Sequence, residues 1–245
     1  MFKRTFLASL CSALALTAAL FANAETPPPA TIPQQREPDW CKAGCVVLNQ
    51  KAKKGGFDVM LIGDSITWEW ERNAQTGIPV WESELKPLNA ATFAMSGDRT
   101  EHVLWRLQNG NLDTPGEPKV VVLLIGTNNT MQRKDPPQDI AAGVSLILDA
   151  IQKRFPETQI LLYGIFPLGQ SPKNPARLNN TATNELLAKF ENHKNIHFID
   201  LGPQFVHEDG TLKEELFRDK VHLSEAGYRV WAASLVPEIK ARLLP

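Results

Sequence analysis

Three cysteines are all that the 245 residues contain, at positions 11, 41 and 45. No His or acidic cluster of suitable spacing accompanies them, so a cysteine-based metal site would lack its remaining ligands. Three residues separate Cys41 from Cys45, where a thioredoxin-like redox pair has two. His193 and His197 are four apart, but the first falls at a helix end and the second in an apolar strand, and His207 has no obvious ligand partner. Basic blocks are missing too: 26 Lys and Arg are scattered among 27 Asp and Glu, for a net charge of -1. That balance supports neither a nucleic-acid nor an anionic-membrane partner. Beyond the first two dozen residues every apolar run is short and interrupted by charge, which argues against stable membrane insertion. The chain has no Gly-x-Ser-x-Gly elbow, no Gly-x-Gly-x-x-Gly and no Gly-Lys-Ser/Thr. The usual α/β-hydrolase signature and both glycine-rich nucleotide loops are therefore absent. No internal repeat occurs, and nothing in the sequence demands a cofactor.

What is present begins with the layout of an export signal. Lys3 and Arg4 precede the apolar run FLASLCSALALTAALF, and Ala22-Asn23-Ala24 follows as a small-x-small site. This predicts a signal peptide over residues 1–24, cleaved before Glu25, and a periplasmic or secreted product. The run is short for a retained anchor, and Leu10 stands before Cys11 where a lipoprotein signal wants a small residue. Cleavage leaves 221 residues, enough for one substantial core. In an oxidising compartment Cys41 and Cys45 can close a small disulfide loop, given a backbone that brings their Cβ atoms together. Residues 25–39 hold five prolines and almost no apolar surface, and read as an extended tether. The ordered domain is expected over residues 40–245.

Four apolar runs recur at residues 58–62, 119–125, 159–165 and 196–200, with a weaker fifth at 90–93. Near-continuous apolar strands suit a parallel sheet covered on both faces. Helices are predicted near 41–54, 100–109, 138–154, 177–191 and 224–242, the last capped by Ser224. The alternation predicts a three-layer α/β/α domain, in which chemistry gathers at the carboxyl ends of the strands.

Four polar patches follow the predicted strands. Gly63-Asp64-Ser65 closes the first strand, and Gly63 allows a tight bend that lets the Ser65 hydroxyl stand clear. A serine hydroxyl needs an imidazole to take its proton, and an acid that fixes the imidazole tautomer. Asp219 and His222, three apart in the closing loop, can supply both. Taken singly, Ser65 reads equally well as a helix cap, and Asp219/His222 as a surface pair. Acyl transfer also needs donors for the developing oxyanion, which the Asn128 side chain, the Gly97 N–H and the Ser65 N–H can provide. Both Gly97 and Asn128 also make sense as turn residues.

Taken in order, the blocks resemble the SGNH, or GDSL, hydrolase superfamily. The matching segments are Gly63-Asp64-Ser65-Ile66-Thr67, Ser96-Gly97-Asp98, Gly126-Thr127-Asn128-Asn129 and Asp219-x-x-His222. The resemblance implies a flavodoxin-like five-stranded parallel sheet, with Ser65 as nucleophile, His222 as base, Asp219 as acid, and Gly97 and Asn128 at the oxyanion. Within that superfamily, Gly97-Asp98-Arg99-Thr100, the run from His102 to Gly110, and Phe205-Val206-His207 look like the catalytic subunits of platelet-activating-factor acetylhydrolase and related bacterial acetyl esterases. Ala94 and Ser96 depart from the glycines of that branch, and Thr92 from its asparagine, which puts the floor of the site in question.

The expected function is hydrolysis of acetyl or other short acyl esters, with a carbohydrate as the expected alcohol and a small-molecule or glycan ester as the substrate, through an acyl-enzyme on Ser65 and without a metal. Trp68, in the aromatic stretch after the nucleophile, is a candidate platform for substrate. The alternatives are a lysophospholipase- or thioesterase-type lipid hydrolase, an acyltransferase using the same acyl-enzyme, and a non-catalytic glycan-binding protein. Oligomeric state is not legible.

Overall fold

The computed structural model describes residues 26–243 apart from Asn192 and Lys194. The expected signal peptide lies outside the described residues. Five strands, β1 Val59–Gly63, β2 Ala90–Ala94, β3 Val120–Leu124, β4 Gln159–Tyr163 and β5 Ile196–Ile199, form one all-parallel sheet in the order β2-β1-β3-β4-β5. The principal helices are α1 Asp39–Lys54, α2 Ser65–Trp68, α3 Gly77–Val80, α4 Thr100–Arg106, α5 Pro137–Arg154, α6 Pro175–Leu187 and α7 Glu225–Leu243.

Successive strand residues feed two separate cores, which is why the strands show almost no polar alternation. Met60, Ile62, Phe93, Val121, Leu123 and Ile160 point to one face and meet apolar side chains of α1, α4 and α5. Val59, Leu61, Val120, Val122, Leu161 and Tyr163 point to the other, against α7 and the segment after α2. Trp231 of α7 anchors this second core with ring centroids 5.2 Å from Trp70 and 5.3 Å from Phe166. Trp70 and Trp81 are buried here as structure.

Register sets the height of the site. Gly63 at the end of β1 pairs with Ala94 of β2 and Leu124 of β3, so three strands finish level with one another. The loops that follow them start from a common edge. Gly63 is needed because a Cβ there would lie 2.5 Å from the Leu124 carbonyl and 2.2 Å from the Thr67 hydroxyl. Close packing rather than an unusual φ makes this position a glycine.

Two expectations are corrected. The proline-rich stretch is no free tether: Ala30 is buried, its carbonyl accepts the Thr100 hydroxyl at 2.9 Å, and the Gln34 N–H donates to the Glu101 carbonyl at 3.2 Å. Proline content suppressed regular structure but did not prevent docking. Cys41 and Cys45 are not bridged; both are free, buried thiols on one face of α1. Residues four apart on a helix hold their Cβ atoms about 5–6 Å apart, beyond the roughly 3.5–4.5 Å of a disulfide. Cys45 instead packs its sulfur 3.8 Å from that of Met95, under the loop after β2.

Candidate active site

Ser65 is the first residue of α2 and follows β1 by one residue. Asp64, not Ser65, caps that helix: its carboxylate accepts the Ile66 N–H at 3.0 Å. The Ser65 hydroxyl is thereby left for another partner, and it meets His222 Nε2 at 2.9 Å. This removes the simpler reading of Ser65 as a helix cap.

His222 arrives from the loop between an isolated bridge, Phe217 with Leu223, which pinches the loop shut. The Arg218 N–H donates to the His222 carbonyl at 2.8 Å, and Lys220 takes a left-handed turn at φ 66°. Asp219 Oδ1 accepts the N–H groups of Val221 and His222 at 3.2 and 2.8 Å. Its Oδ2 lies 2.8 Å from His222 Nδ1. Burial raises the Asp219 carboxyl, but the His222 main-chain and ring bonds outweigh it and hold the group below the usual carboxylate range. Arg218 bonds Glu69 Oε1 at 2.8 Å and so ties this loop to the turn that follows the serine. Ser224 then caps α7, accepting the Gly227 N–H on its hydroxyl at 3.2 Å.

The two remaining loops bring Gly97 and Asn128 together. Gly97 has φ 82°, a conformation that side chains rarely adopt. The N–H of Gly97 has no protein acceptor among the described residues, whereas its neighbour Asp98 closes a turn onto the Met95 carbonyl at 3.2 Å. Asn128 follows β3 through Gly126 at φ 127°. The Asn128 amide donates to the Asp98 carbonyl at 3.0 Å and approaches Asp64 Oδ2 at 3.4 Å, while its oxygen accepts the Gln132 amide at 2.9 Å. One amide hydrogen is thus committed to the Gly97–Asp98 loop, and the other makes only a long contact. Trp68 lies at the far end of α2, half-buried. Thr92, one of the departures from the family pattern, bonds Glu71 through its hydroxyl, and Glu71 pairs with Lys51 at 2.8 Å. The Ser65–His222–Asp219 arrangement can move a proton from hydroxyl to ring nitrogen, with donors nearby for a developing negative charge.

Several polar groups beside the site have a burial and pairing that the motifs do not reveal. Asp98 is buried and pairs with Arg106 at 2.8 Å; only their spacing of eight residues hints at it. Asp64 is wholly buried, and desolvation, partly opposed by the Ile66 N–H, raises its carboxyl to about 7. His102, buried under Arg99, is pushed down to about 4 by desolvation, against the pull of Glu101. These two titrate with opposite sign. Unfolded, Asp64 would lose its proton near 3.8, so its contribution to stability is complete below that value and is lost as pH rises toward 7. The His102 contribution is present above 6.5 and is lost as pH falls toward 4. Each slope is about 1.4 kcal/mol per pH unit, and over their shared window they cancel. We expect Asp64→Asn to unmask the His102 slope. Urea melts should show the wild-type-minus-variant stability falling by about 1.4 kcal/mol per pH unit between roughly pH 4 and 7. A difference flat with pH would mean that Asp64 is ionised in the fold.

The model of the GDSL-like lipase/acylhydrolase family matches residues 61–230. Platelet-activating factor acetylhydrolase IB subunit alpha1 of Bos taurus is 37% identical over 172 residues, 70% of each chain. The alpha2 subunit of Rattus norvegicus is 35% identical over 183 residues, 74% of this chain and 75% of its own. Among solved structures, a GDSL-like lipase from Bacteroides thetaiotaomicron superposes with a TM-score of 0.64 at 18% identity, covering 80% of this chain and 95% of the other. An acetylxylan esterase from Geobacillus stearothermophilus does so with a TM-score of 0.57 at 20% identity, covering 76% and 94%. The family match spans most of the described domain, from β1 into α7, and on it the chain belongs to the GDSL-like lipase/acylhydrolase family and is a carboxylic ester hydrolase.

Proposed function

We propose that the chain removes acetyl or other short acyl groups from esters, with carbohydrates as the alcohol, through an acyl-enzyme on Ser65. The observation that carries this reading is the continuous relay from Asp219 through His222 to Ser65, with contacts of 2.8 and 2.9 Å. His222 takes the hydroxyl proton as Ser65 Oγ bonds to the ester carbonyl carbon. The carbonyl electrons move onto oxygen, where the N–H groups of Gly97 and Ser65 and the Asn128 amide receive the charge. Collapse expels the alcohol, which leaves with the proton from His222. Water then repeats the sequence on the acyl-enzyme and frees the acid.

Acetyl as the acyl group is supported by the names of the acetylhydrolase relatives and of the acetylxylan esterase neighbour. A sugar as the alcohol is supported by the export-type amino terminus, which would place the enzyme in the periplasm or outside the cell, and by the half-buried Trp68, one turn from Ser65 and suited to stacking on a pyranose ring.

The test is turnover of chromogenic esters from acetyl to octanoyl, followed by peracetylated xylose and glucose. The expected result is activity that peaks at acetyl or butyryl and extends to the sugars. Activity rising toward octanoyl would overturn the short-chain reading in favour of a lipid or thioester substrate. Transfer of acetyl to an added sugar faster than to water would make the chain an acyltransferase.

A further inference from the structure

The arm that precedes α1 contributes nothing to the proton relay, yet it reaches the loop that carries Gly97. Arg36 lies outside the residues matched by the family model, 61–230. Its Nη1 donates to the Ser96 carbonyl and lies 3.3 Å from Asp98 Oδ1, so one guanidinium holds the chain on both sides of Gly97. The fit is close: a Cβ on Gly97 would fall 3.0 Å from Nη2. The guanidinium carbon sits 4.9 Å from the centre of the Trp40 ring, a stacking that orients the group on its outer side. Asp98 relays the constraint. Its carboxylate is fixed from the far side by Arg106 at 2.8 Å, and its carbonyl is the acceptor for the Asn128 amide at 3.0 Å.

The geometry points to Arg36 as a positioning residue for ester hydrolysis, a clamp delivered by the N-terminal arm that aligns both the Gly97 N–H and the Asn128 amide with the oxyanion. This rests on the proposed oxyanion role of Gly97 and Asn128. A guanidinium suits the task because it presents several donors in a rigid plane, whereas an ammonium is a single point of charge. The clamp touches no substrate, so its loss weakens the transition state and leaves ground-state binding alone.

The experiment compares the full-length wild type with R36A and R36K, using kcat and KM for a short-chain ester and the affinity for a trifluoromethyl ketone, which forms a tetrahedral adduct on the serine. Misplacing a reacting group by about 1 Å costs on the order of 100-fold. R36A is therefore expected to lose about 10- to 100-fold in kcat with KM nearly unchanged, and the ketone affinity should fall in step. R36K should recover only part of the loss, and millimolar guanidinium should partly rescue R36A. A folded R36A with wild-type kcat overturns the assignment, as does a loss of kcat that the ketone affinity does not follow. If R36A lacks the native near-UV circular dichroism, R36K decides by the same two criteria. Reaction of the wild type with a fluorophosphonate separates the two failures: no labelling of Ser65 and no turnover would sink the reading of the site itself, not the role of Arg36.

Discussion

Replacing Ser65 with alanine is expected to lower kcat/KM for a short-chain ester by about 10⁴- to 10⁶-fold without disturbing the fold. The two halves of that expectation have separate causes. On the proposed mechanism catalysis collapses because the hydroxyl supplies the atom that bonds to the acyl carbon, and among the described residues the adjacent Asp64 carboxyl cannot replace it, being wholly buried and turned toward the Ile66 N–H. The fold persists because, among the described residues, the Ser65 hydroxyl bonds to His222 alone, and the cap of α2 comes from Asp64. Losing one oxygen from a residue that is 7% exposed leaves a gap open to water at the edge of the sheet. The variant should therefore melt within about 2 °C of the wild type, the shift that a few tenths of a kcal/mol would produce in a domain of this size. The measurement pairs ester turnover with a thermal melt. S65A retaining more than about a hundredth of wild-type turnover would place the nucleophile elsewhere.

The sheet was legible because its strands are buried on both faces, which leaves long apolar runs that no half-exposed helix would have. The run around residue 90 was the weakest signal, since β2 lies at the sheet edge and opens on two alanines. Helix ends were less legible. The predicted helix at 100–109 ends as regular helix at Arg106 and widens through Leu107–Asn111, where Gly110 takes φ 116°. A side chain on Gly110 would collide with Asn49 of α1, so the boundary is set by a contact sixty residues away.

The same distinction runs through the site. Ser65, Gly97 and Asn128 stand out as candidates in the sequence because each sits in a short block just after a strand, and the Asp219/His222 pair because it immediately precedes the cap of α7. Arg36 could not, since its partners are a carbonyl and a carboxylate some sixty residues along the chain, and its own surroundings are prolines and polar residues. The buried Asp98–Arg106 pair was hidden for a related reason: both are charged, and composition places charged residues outside. The Cys41–Cys45 bridge failed against information already present. The same residues were expected to open a helix, and helical spacing at four residues excludes the bond.

Asp219→Asn is expected to reduce kcat by about 10³- to 10⁴-fold, and to do so by trapping the wrong tautomer and not by misplacing the ring. Asp219 Oδ1 accepts the N–H groups of Val221 and His222, and an asparagine carbonyl oxygen can accept the same two bonds. The loop is also held independently of that charge by the Arg218 N–H on the His222 carbonyl and by the Arg218–Glu69 pair. With its oxygen so placed, the asparagine turns its NH2 toward His222 Nδ1. That nitrogen can then only accept, which puts the ring proton on Nε2, the atom that must take the proton from Ser65. Asp219→Ala makes the contrast. It loses the turn bonds and melts earlier, but it leaves the ring free to adopt either tautomer, and the carboxylate site is 46% exposed, so water can meet Nδ1. The alanine variant should therefore be the less stable of the two and the more active. Because the wild-type carboxyl is held below its ordinary range, it is ionised throughout neutral pH. Parallel kcat and melting measurements on both variants test the order. D219N more active than D219A would show that Asp219 serves mainly to shape the loop, and that the imidazole tautomer is set by another group.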